Sequence, residues 1–241
     1  MIHIQSDSKR LLPHHFDAAC ALYGAEDSAL DFRLTSFEEM SSGKFDNLLK
    51  RNLFVGSSEF MMEVFKRMGC LEIPKVPFNC DRPEQIITLK MARETVAKGN
   101  KIFIKPIQNK LFTGFVLDES EYTCLRGIPE DTPIMSYEPF TKKLISEWRI
   151  YIHNNKIVDS RNYSGDFMVS PNYSFVQLSM KNNKEFPCAY TMDVGIFEDG
   201  SSTIVEYNDM WAIGNYGIPN DLYLRLLKDR YFEIVKSTVS Y

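Results

Sequence analysis

Tyr190-Thr-Met-Asp-Val-Gly-Ile-Phe-Glu-Asp-Gly-Ser-Ser-Thr-Ile-Val-Glu-Tyr-Asn208 is the stretch around which the chain is organised. Two runs of β-forming residues flank Asp199-Gly200, a hairpin turn signal. Closing the hairpin on that pair sets Asp193 opposite Glu206. Side chains alternate along a strand, so Glu206 and Asn208 share one face. A small register change keeps all three on that face but pairs Asp193 with Asn208. In either register two carboxylates and an amide oxygen converge, with no cation expected among them. Hard oxygen donors of this kind suit Mg²⁺, which takes one or two carboxylates and completes its shell with water and substrate phosphates. The plainer alternative is a solvated hairpin with an acidic outer face. The rest of the chain decides between the two.

With 241 residues the chain can bury a substantial core, as one large domain or as small lobes. Its 28 basic and 32 acidic side chains leave a net charge of −4, which gives no global attraction to nucleic acid or an anionic membrane. No apolar run approaches membrane-spanning length, and Met1 to Asp7 lacks a signal-peptide core. The cysteines (Cys20, Cys70, Cys80, Cys124 and Cys188) are scattered and form no Cys-x-x-Cys, so neither a zinc site nor a disulfide framework is indicated. The expectation is a reduced, cytoplasmic protein with no nucleic-acid or membrane partner. His14-His15 is the only histidine cluster, and nothing downstream completes a ligand set.

Residues 1–80 read as a small α/β lobe. Pro13 to Tyr23 has helical spacing, Leu30 to Leu34 is a short strand, and Leu53-Phe-Val55 is a buried strand. Gly56-Ser-Ser58 then opens a helix that carries Phe60, Met61, Val64, Phe65 and Met68 and stops at Gly69. Such a turn can bind phosphate at the helix N-terminus, although a serine cap is far commoner. A proline-bearing connector, Pro74 to Pro83, marks a lobe boundary. Beyond it Glu84 to Lys98 reads as a helix and Lys101 to Pro106 as a strand, with Phe112 to Val116 returning. Ile134 to Phe140, Ser146 to His153 and Lys156 to Tyr163 are further strands, and Asp221 to Lys236 is an amphipathic helix. Residues 165–187 give no clear signal. The mixture is α+β with antiparallel hairpins. It divides into an N-terminal lobe at 1–80 and a second domain at 81–241, itself split into 81–140 and a metal-bearing 141–241.

Charged residues inside apolar strands are informative. Lys105 ends Ile102-Phe-Ile104 and either snorkels to solvent or meets an anion. Lys110 lies in the loop that follows. Arg149 sits in Glu147-Trp-Arg-Ile-Tyr-Ile152, where a guanidinium needs a carboxylate or phosphate partner. Its plainer role is a salt bridge to Glu147. Glu138, in Met135-Ser-Tyr-Glu-Pro-Phe140, is placed to accept from an adenine amino group at a hinge. Together these residues offer cations for phosphates and carboxylates for Mg²⁺. Gly-x-Gly-x-x-Gly and Gly-Lys-Ser/Thr are both absent, which leaves the commonest nucleotide folds without support. Missing Lys-x-Asp-Gly and Asp-Phe-Gly motifs speak against nucleotidyltransferases and protein kinases.

The order strand-Lys-Pro, loop, strand-glutamate hinge, Glu-Trp-Arg, then Asp…Glu-x-Asn resembles the ATP-grasp superfamily. Within it, the chain is most similar to a clade of small bacterial and phage proteins named for an arginine and two lysines. Lys105-Pro-Ile-Gln-Asn-Lys-Leu-Phe-Thr-Gly114, Glu147-Trp-Arg149, Asp193 and Glu206-Tyr-Asn208 carry the resemblance, which spans about residues 83–230. It implies two α+β lobes with antiparallel sheets clasping ATP, preceded by a small α/β lobe. It further implies that Lys105 contacts the α- and β-phosphates, that Lys110 reaches the phosphates from a mobile loop, and that Tyr137 and Glu138 hold adenine. Arg149 would face the γ-phosphate or an acyl-phosphate, making it and Lys110 the catalytic pair. Asp193, Glu206 and Asn208 would hold Mg²⁺.

Members of this superfamily phosphorylate a carboxylate with ATP, releasing ADP, and an amine or another nucleophile then attacks the acyl-phosphate. The chain departs from the pattern in having no glycine in Ile107 to Leu111, which places more weight on Lys110. It is also shorter than typical ligases, so the substrate-binding elements are either small or supplied by residues 1–80 and 165–187. Arg161, Tyr163 and Asp166 are either candidate acceptor residues or an exposed hairpin end; a small molecule, a peptide or a protein would serve as substrate. The rival expectation is a nucleotide-binding regulatory module without ligase chemistry, against which the full set Lys105, Arg149, Asp193, Glu206 and Asn208 speaks.

Overall fold

The computed structural model describes all residues except 8–11, 71, 73, 77–83, 108–110, 121, 182–184 and 239–241. The chain opens with β1 (Ile2–Ser6), α1 (Phe16–Asp27), β2 (Phe32–Ser36), α2 (Phe37–Ser41), β3 (Leu53–Val55) and α3 (Ser58–Met68). There follow β4 (Gln85–Thr88), α4 (Leu89–Ala97), β5 (Ile102–Pro106), β6 (Phe115–Leu117) and β7 (Pro133–Tyr137). The last part contains β8 (Leu144–His153), β9 (Lys156–Gly165), α5 (Tyr173–Lys181), β10 (Ala189–Phe197), β11 (Ser202–Asp209) and α6 (Asn220–Ser237). Among the described residues no helix is long and apolar enough to cross a membrane.

Two compact units result. One joins Met1–Phe78 to Leu144–Tyr241, and the other is Asn79–Lys143. The first unit holds a parallel sheet ordered β2-β1-β3 and an antiparallel sheet ordered β11-β10-β8-β9, and the second holds an antiparallel sheet ordered β4-β7-β5-β6. Residues 1–80, expected as a lobe of their own, share one core with the C-terminal segment. Ile4, Phe54, Phe60 and Phe65 pack with Leu226, Leu227 and Tyr231 of α6 in a single buried cluster. Tyr231 Oη donates to Leu49 O at 2.7 Å, across 182 residues of sequence. Helix α1 approaches α6 so closely that a Cβ at Gly24 would collide with the Asn220 carbonyl, so only glycine fits. Each aliphatic side chain buried here contributes roughly 1.5–3 kcal/mol.

Local chemistry sets the element ends. Ser57 Oγ accepts from Phe60 N at 3.3 Å, so this serine is a helix cap, as the commoner reading of Gly56-Ser-Ser58 has it. His15 caps α1, its Nδ1 accepting from Ala18 N at 3.1 Å, which accounts for half of the His14-His15 pair. The segment expected as one helix over Glu84 to Lys98 is a strand followed by a helix. Ile86 and Ile87 are β-branched and pair with β7, and Thr88 Oγ1 then caps α4 through Met91 N at 3.3 Å. The expected strand at Leu30 to Leu34 lies two residues later, because Ala29 turns the chain at φ 51°. The return strand expected at Phe112 to Val116 is the shorter β6.

In the β8–β11 sheet one face is apolar. Trp148, Ile150, Ile152, Tyr190, Met192 and Val194 pack against Val176 and Met180 of α5. The opposite face carries the polar residues.

Candidate functional site

The hairpin closes as its sequence predicts. Gly200 takes φ 80° and its N–H donates to Phe197 O at 2.9 Å, while Asp199 Oδ1 accepts from Ser201 N at 3.0 Å. Asp193 stands opposite Glu206, and Thr191 opposite Asn208. A bulge after Asp193 absorbs one residue of β11 before Val194 pairs with Ile204. The alternative register, Asp193 against Asn208, is not the one adopted.

Strand β8 lies on the other side of β10 and sets Arg149 directly opposite Asp193. The hairpin face expected to hold no cation therefore holds one. Arg149 Nε donates to Asp193 Oδ1 at 2.9 Å and Nη2 to Oδ2 at 2.7 Å, with both side chains buried. The salt bridge from Arg149 to Glu147 is not formed. Those two are neighbours along one strand, whereas Asp193 presents both oxygens to the fork of the guanidinium. Glu147 accepts instead from Tyr163 Oη at 3.0 Å.

Strand β9 completes the row, because Arg161 is the register partner of Arg149. Across four strands the face reads Arg161, Arg149, Asp193, Glu206: two cations, then two carboxylates. Arg161 Nη2 donates to Asp159 Oδ2 at 2.9 Å. Its Nε lies 2.9 Å from Asp159 Oδ1, at an angle that makes an ion pair without a hydrogen bond. Asn208 Nδ2 donates to Glu206 Oε1 at 3.0 Å and reaches Asp193 Oδ2 at 3.4 Å. Burial lifts the Asp193 carboxyl to about 6, against the pull of Arg149. For Arg149 burial opposes the charge, but the bonds to Asp193 outweigh it and raise its pKa. The Tyr163 phenol is pushed up by burial and by the charges of Asp193 and Glu147.

The donors suit a hard divalent cation. Two carboxylates face each other, an amide donor spans them where positive charge is wanted, and the buried Thr191 Oγ1 opposite Asn208 has no hydrogen-bond partner among the described residues. Among the described residues no group of three or more His, Cys, Asp or Glu is placed to hold a metal, so Asn208 would be a necessary member. Glu206 would ligate such an ion through its carboxylate, and Asn208 through Oδ1 once its amide turns over, because its Nδ2 now donates to Glu206 Oε1. Asp193, already bonded through both oxygens, would join only by sharing one with Arg149.

In the other unit, Lys105 on β5 and Tyr137 on β7 lie together, with Lys105 Nζ 5.4 Å from the Tyr137 ring centre. Tyr137 Oη donates to Glu84 Oε2 at 2.6 Å. Glu138 follows β7 directly and is exposed. Gly114 lets the returning chain lie against Lys105, since a Cβ there would stand 3.0 Å from that of Lys105. Lys110 lies outside the described residues.

The sequence reading does not single out the loop Ile213-Gly-Asn-Tyr-Gly217 or Asp17. The Tyr216 ring lies 4.4 Å from Arg149 Cζ, and Asp17 Oδ1 accepts from Asn215 N at 2.8 Å. The paired glycines around Asn215-Tyr216 were the available signal, and they mark a turn without saying what it faces.

Three sheets with this polar row define the ATP-grasp class of fold. A family model for the ATP-grasp domain, the second family of the clade named for an arginine and two lysines, matches residues 83–226. That is more than half of the chain, and the chain belongs to that family. This bears out the resemblance carried by Lys105, Arg149, Asp193 and Glu206-Tyr-Asn208. Among solved structures, the chain is similar to the D-alanine–D-alanine ligase of Bacillus anthracis, with a TM-score of 0.57, 10% identity and 98% of each chain covered. That ligase complexed with ATP matches equally, at TM-score 0.57. N5-carboxyaminoimidazole synthetase of Staphylococcus aureus follows at TM-score 0.52 and 8% identity, covering 95% of this chain and 77% of that one. At these identities the likeness is one of fold. A comparison with curated proteins finds no match.

Proposed function

We propose that the chain is an ADP-forming, ATP- and Mg²⁺-dependent carboxylate–amine ligase. The observation that carries this reading is the row Arg161, Arg149, Asp193, Glu206, which grades one sheet face from cationic to anionic. A carboxylate is a poor electrophile. In the reaction its oxygen attacks the γ-phosphorus of ATP, the bond to the β-phosphate oxygen breaks, and ADP leaves. The amine nitrogen then attacks the acyl carbon, phosphate departs and the nitrogen loses a proton. Most of the protein's work in such chemistry is positioning and charge neutralisation.

Glu206 and Asn208, with Asp193, are the residues to hold Mg²⁺. When bound, that ion would supply positive charge against the negative charge of the phosphates. Arg149 receives the phosphoryl oxygens. Arg161 and Tyr163, on the neighbouring strand toward the sheet edge, orient the acid. Lys105 and Lys110 neutralise the α-, β- and γ-phosphates, and Tyr137 with Glu138 holds adenine. The acid and amine belong to a small molecule, a peptide or a protein.

Purified protein incubated with ATP, Mg²⁺ and a panel of amino acids and peptides should release ADP and phosphate only with the matching pair, and mass spectrometry should show the new amide. AMP as the stoichiometric product would place the chemistry in another class. Nucleotide binding without turnover across the panel would favour the regulatory-module reading.

A further inference from the structure

The loop Ile213-Gly-Asn-Tyr-Gly217 is pinned on both flanks of Tyr216. Tyr223 Oη donates to Ile213 O at 2.6 Å. Tyr151 Oη lies 2.9 Å from Gly214 O and 2.5 Å from Asn215 O. Asn215 is buried; its N–H donates to Asp17 Oδ1 at 2.8 Å, and its Oδ1 accepts from Gly217 N at 2.8 Å. These bonds hold Tyr216 at φ 48°, the left-handed region that a residue with a Cβ enters only at a steric cost. Such strain persists where the surroundings over-determine it.

The strained backbone aims one ring. Tyr216 covers the Arg149 guanidinium at 4.4 Å and lies nearly parallel to Tyr163, 15° apart with centres 5.4 Å apart. The Tyr163 ring centre is 5.8 Å from Arg149 Cζ. Arg149 therefore has Nε and Nη2 on Asp193 and one face against tyrosine. Its Nη1 has no hydrogen-bond partner among the described residues and faces Gly214, where a Cβ would stand 3.9 Å from Nη1 and 3.8 Å from Asp17 Oδ1. The Gly214 position thus lies between Nη1 and the Asp17 carboxylate.

We propose that Tyr216 is a positioning residue: its ring fixes the plane of the Arg149 guanidinium so that Nη1, which Asp193 does not take, is held ready to receive an oxygen of the transferred phosphate. The clamp stands on geometry, and only the phosphate rests on the ligase reading. A guanidinium is planar and stacks on aromatic faces, so a ring at this distance resists its rotation. An arginine already oriented needs no reorganisation when charge arrives.

The test uses the full chain with ¹⁵N-labelled arginine, following rotation about the Arg149 Nε–Cζ bond by NMR, together with affinities for Mg²⁺ with ADP and with a β,γ-imido ATP analogue. Tyr216→Leu should speed the rotation at least tenfold and weaken the imido analogue about tenfold while leaving ADP binding unchanged. Tyr216→Phe, which keeps the ring, should restore both. Tyr216→Gly suits the left-handed backbone and serves in place of the leucine variant should that one not fold. Rotation unchanged in the ring-less variant, or an equal loss for both nucleotides, would overturn the proposal. If the unaltered chain binds neither nucleotide, the ligase reading fails, and the rotation measurement still decides the clamp.

Discussion

Two arginine–aspartate pairs, with both aspartates on the same sheet, have nearly identical chemistry and different surroundings. Arg230 of α6 donates to Asp209 at the end of β11 through Nε at 2.7 Å and Nη2 at 2.6 Å, much as Arg149 does to Asp193. Its third nitrogen, Nη1, donates to Glu233 at 2.8 Å, and Glu233 in turn accepts the Cys188 N–H at 3.0 Å. Every edge of Arg230 ends in protein. Arg149 keeps one nitrogen, Nη1, without a hydrogen-bond partner among the described residues. A consumed guanidinium fastens a helix to a sheet, whereas one with a free edge is equipped to meet a ligand.

The largest expected effect follows from breaking the fastening pair. Arg230→Met leaves Asp209 buried and unpaired and should cost roughly 3–5 kcal/mol, the penalty for half a buried ion pair. Arg149→Met should cost less, because it strands one carboxylate, Asp193, where Arg230→Met strands both Asp209 and Glu233. Urea denaturation of both variants at neutral pH measures the gap. Equal losses would erase the distinction between the two pairs.

A third buried polar group, His3, sharpens the fastening side. Its Nδ1 lies 3.0 Å from Thr35 Oγ1, its Nε2 lies 3.1 Å from Asn52 Nδ2, and its ring stacks on Phe54 at 4.4 Å. Asn52 Nδ2 can only donate, so the imidazole is neutral with its proton on Nδ1. Burial and then Arg33 lower its pKa from 6.5 to about 4. Between those values the unfolded chain binds a proton that the folded chain refuses. The contribution is therefore complete above pH 6.5 and falls away as pH drops to about 4, by at most ~3 kcal/mol. His3→Gln should flatten the stability–pH curve in that window, and curves of equal slope would count against a neutral imidazole.

On the ligand side, Mg²⁺ with ATP should stabilise the unaltered chain by about 2.7 kcal/mol at a hundredfold excess over the dissociation constant. A thermal scan without any shift would tell against nucleotide binding. The smallest change in stability belongs to Glu206→Gln. Relieving the repulsion across the Asp193–Glu206 pair should leave the free protein unchanged or more stable by a few tenths of a kcal/mol. The same variant should lose the Mg²⁺-dependent part of the ATP-induced shift. Retention of that part would remove Glu206 from the metal site.

The hairpin was legible because its information is local. Asp199-Gly200 sets the turn, and counting outward sets Asp193 against Glu206. The partner of Arg149 was not legible, because β8 meets β10 across 44 residues and no local pattern specifies that pairing. Strand β1 escaped for another reason. His3 and Gln5 alternate with Ile2 and Ile4 as though one face were wet, yet all are buried between β2 and β3 and the flanking helices. In β4, the helix-like spacing of Ile87 and Met91 concealed Thr88, whose side chain marks where the helix begins. Helix α5 has no serine, threonine or aspartate cap that reads clearly from sequence, although Asn172 Oδ1 accepts from Ser174 N at 3.0 Å.

The shared core of Met1–Phe78 and Leu144–Tyr241 also bears on synthesis. A ribosome delivers the parallel sheet first and α6 last, so Phe54 and Phe65 emerge long before the Tyr231 ring that covers them. The segment Asn79–Lys143 carries all four strands of its own sheet and can close as soon as it leaves the exit tunnel. During translation the N-terminal third is thus an unfinished surface, exposed for the time needed to make about 160 further residues, and its protection in that interval falls to chaperones or to speed of elongation.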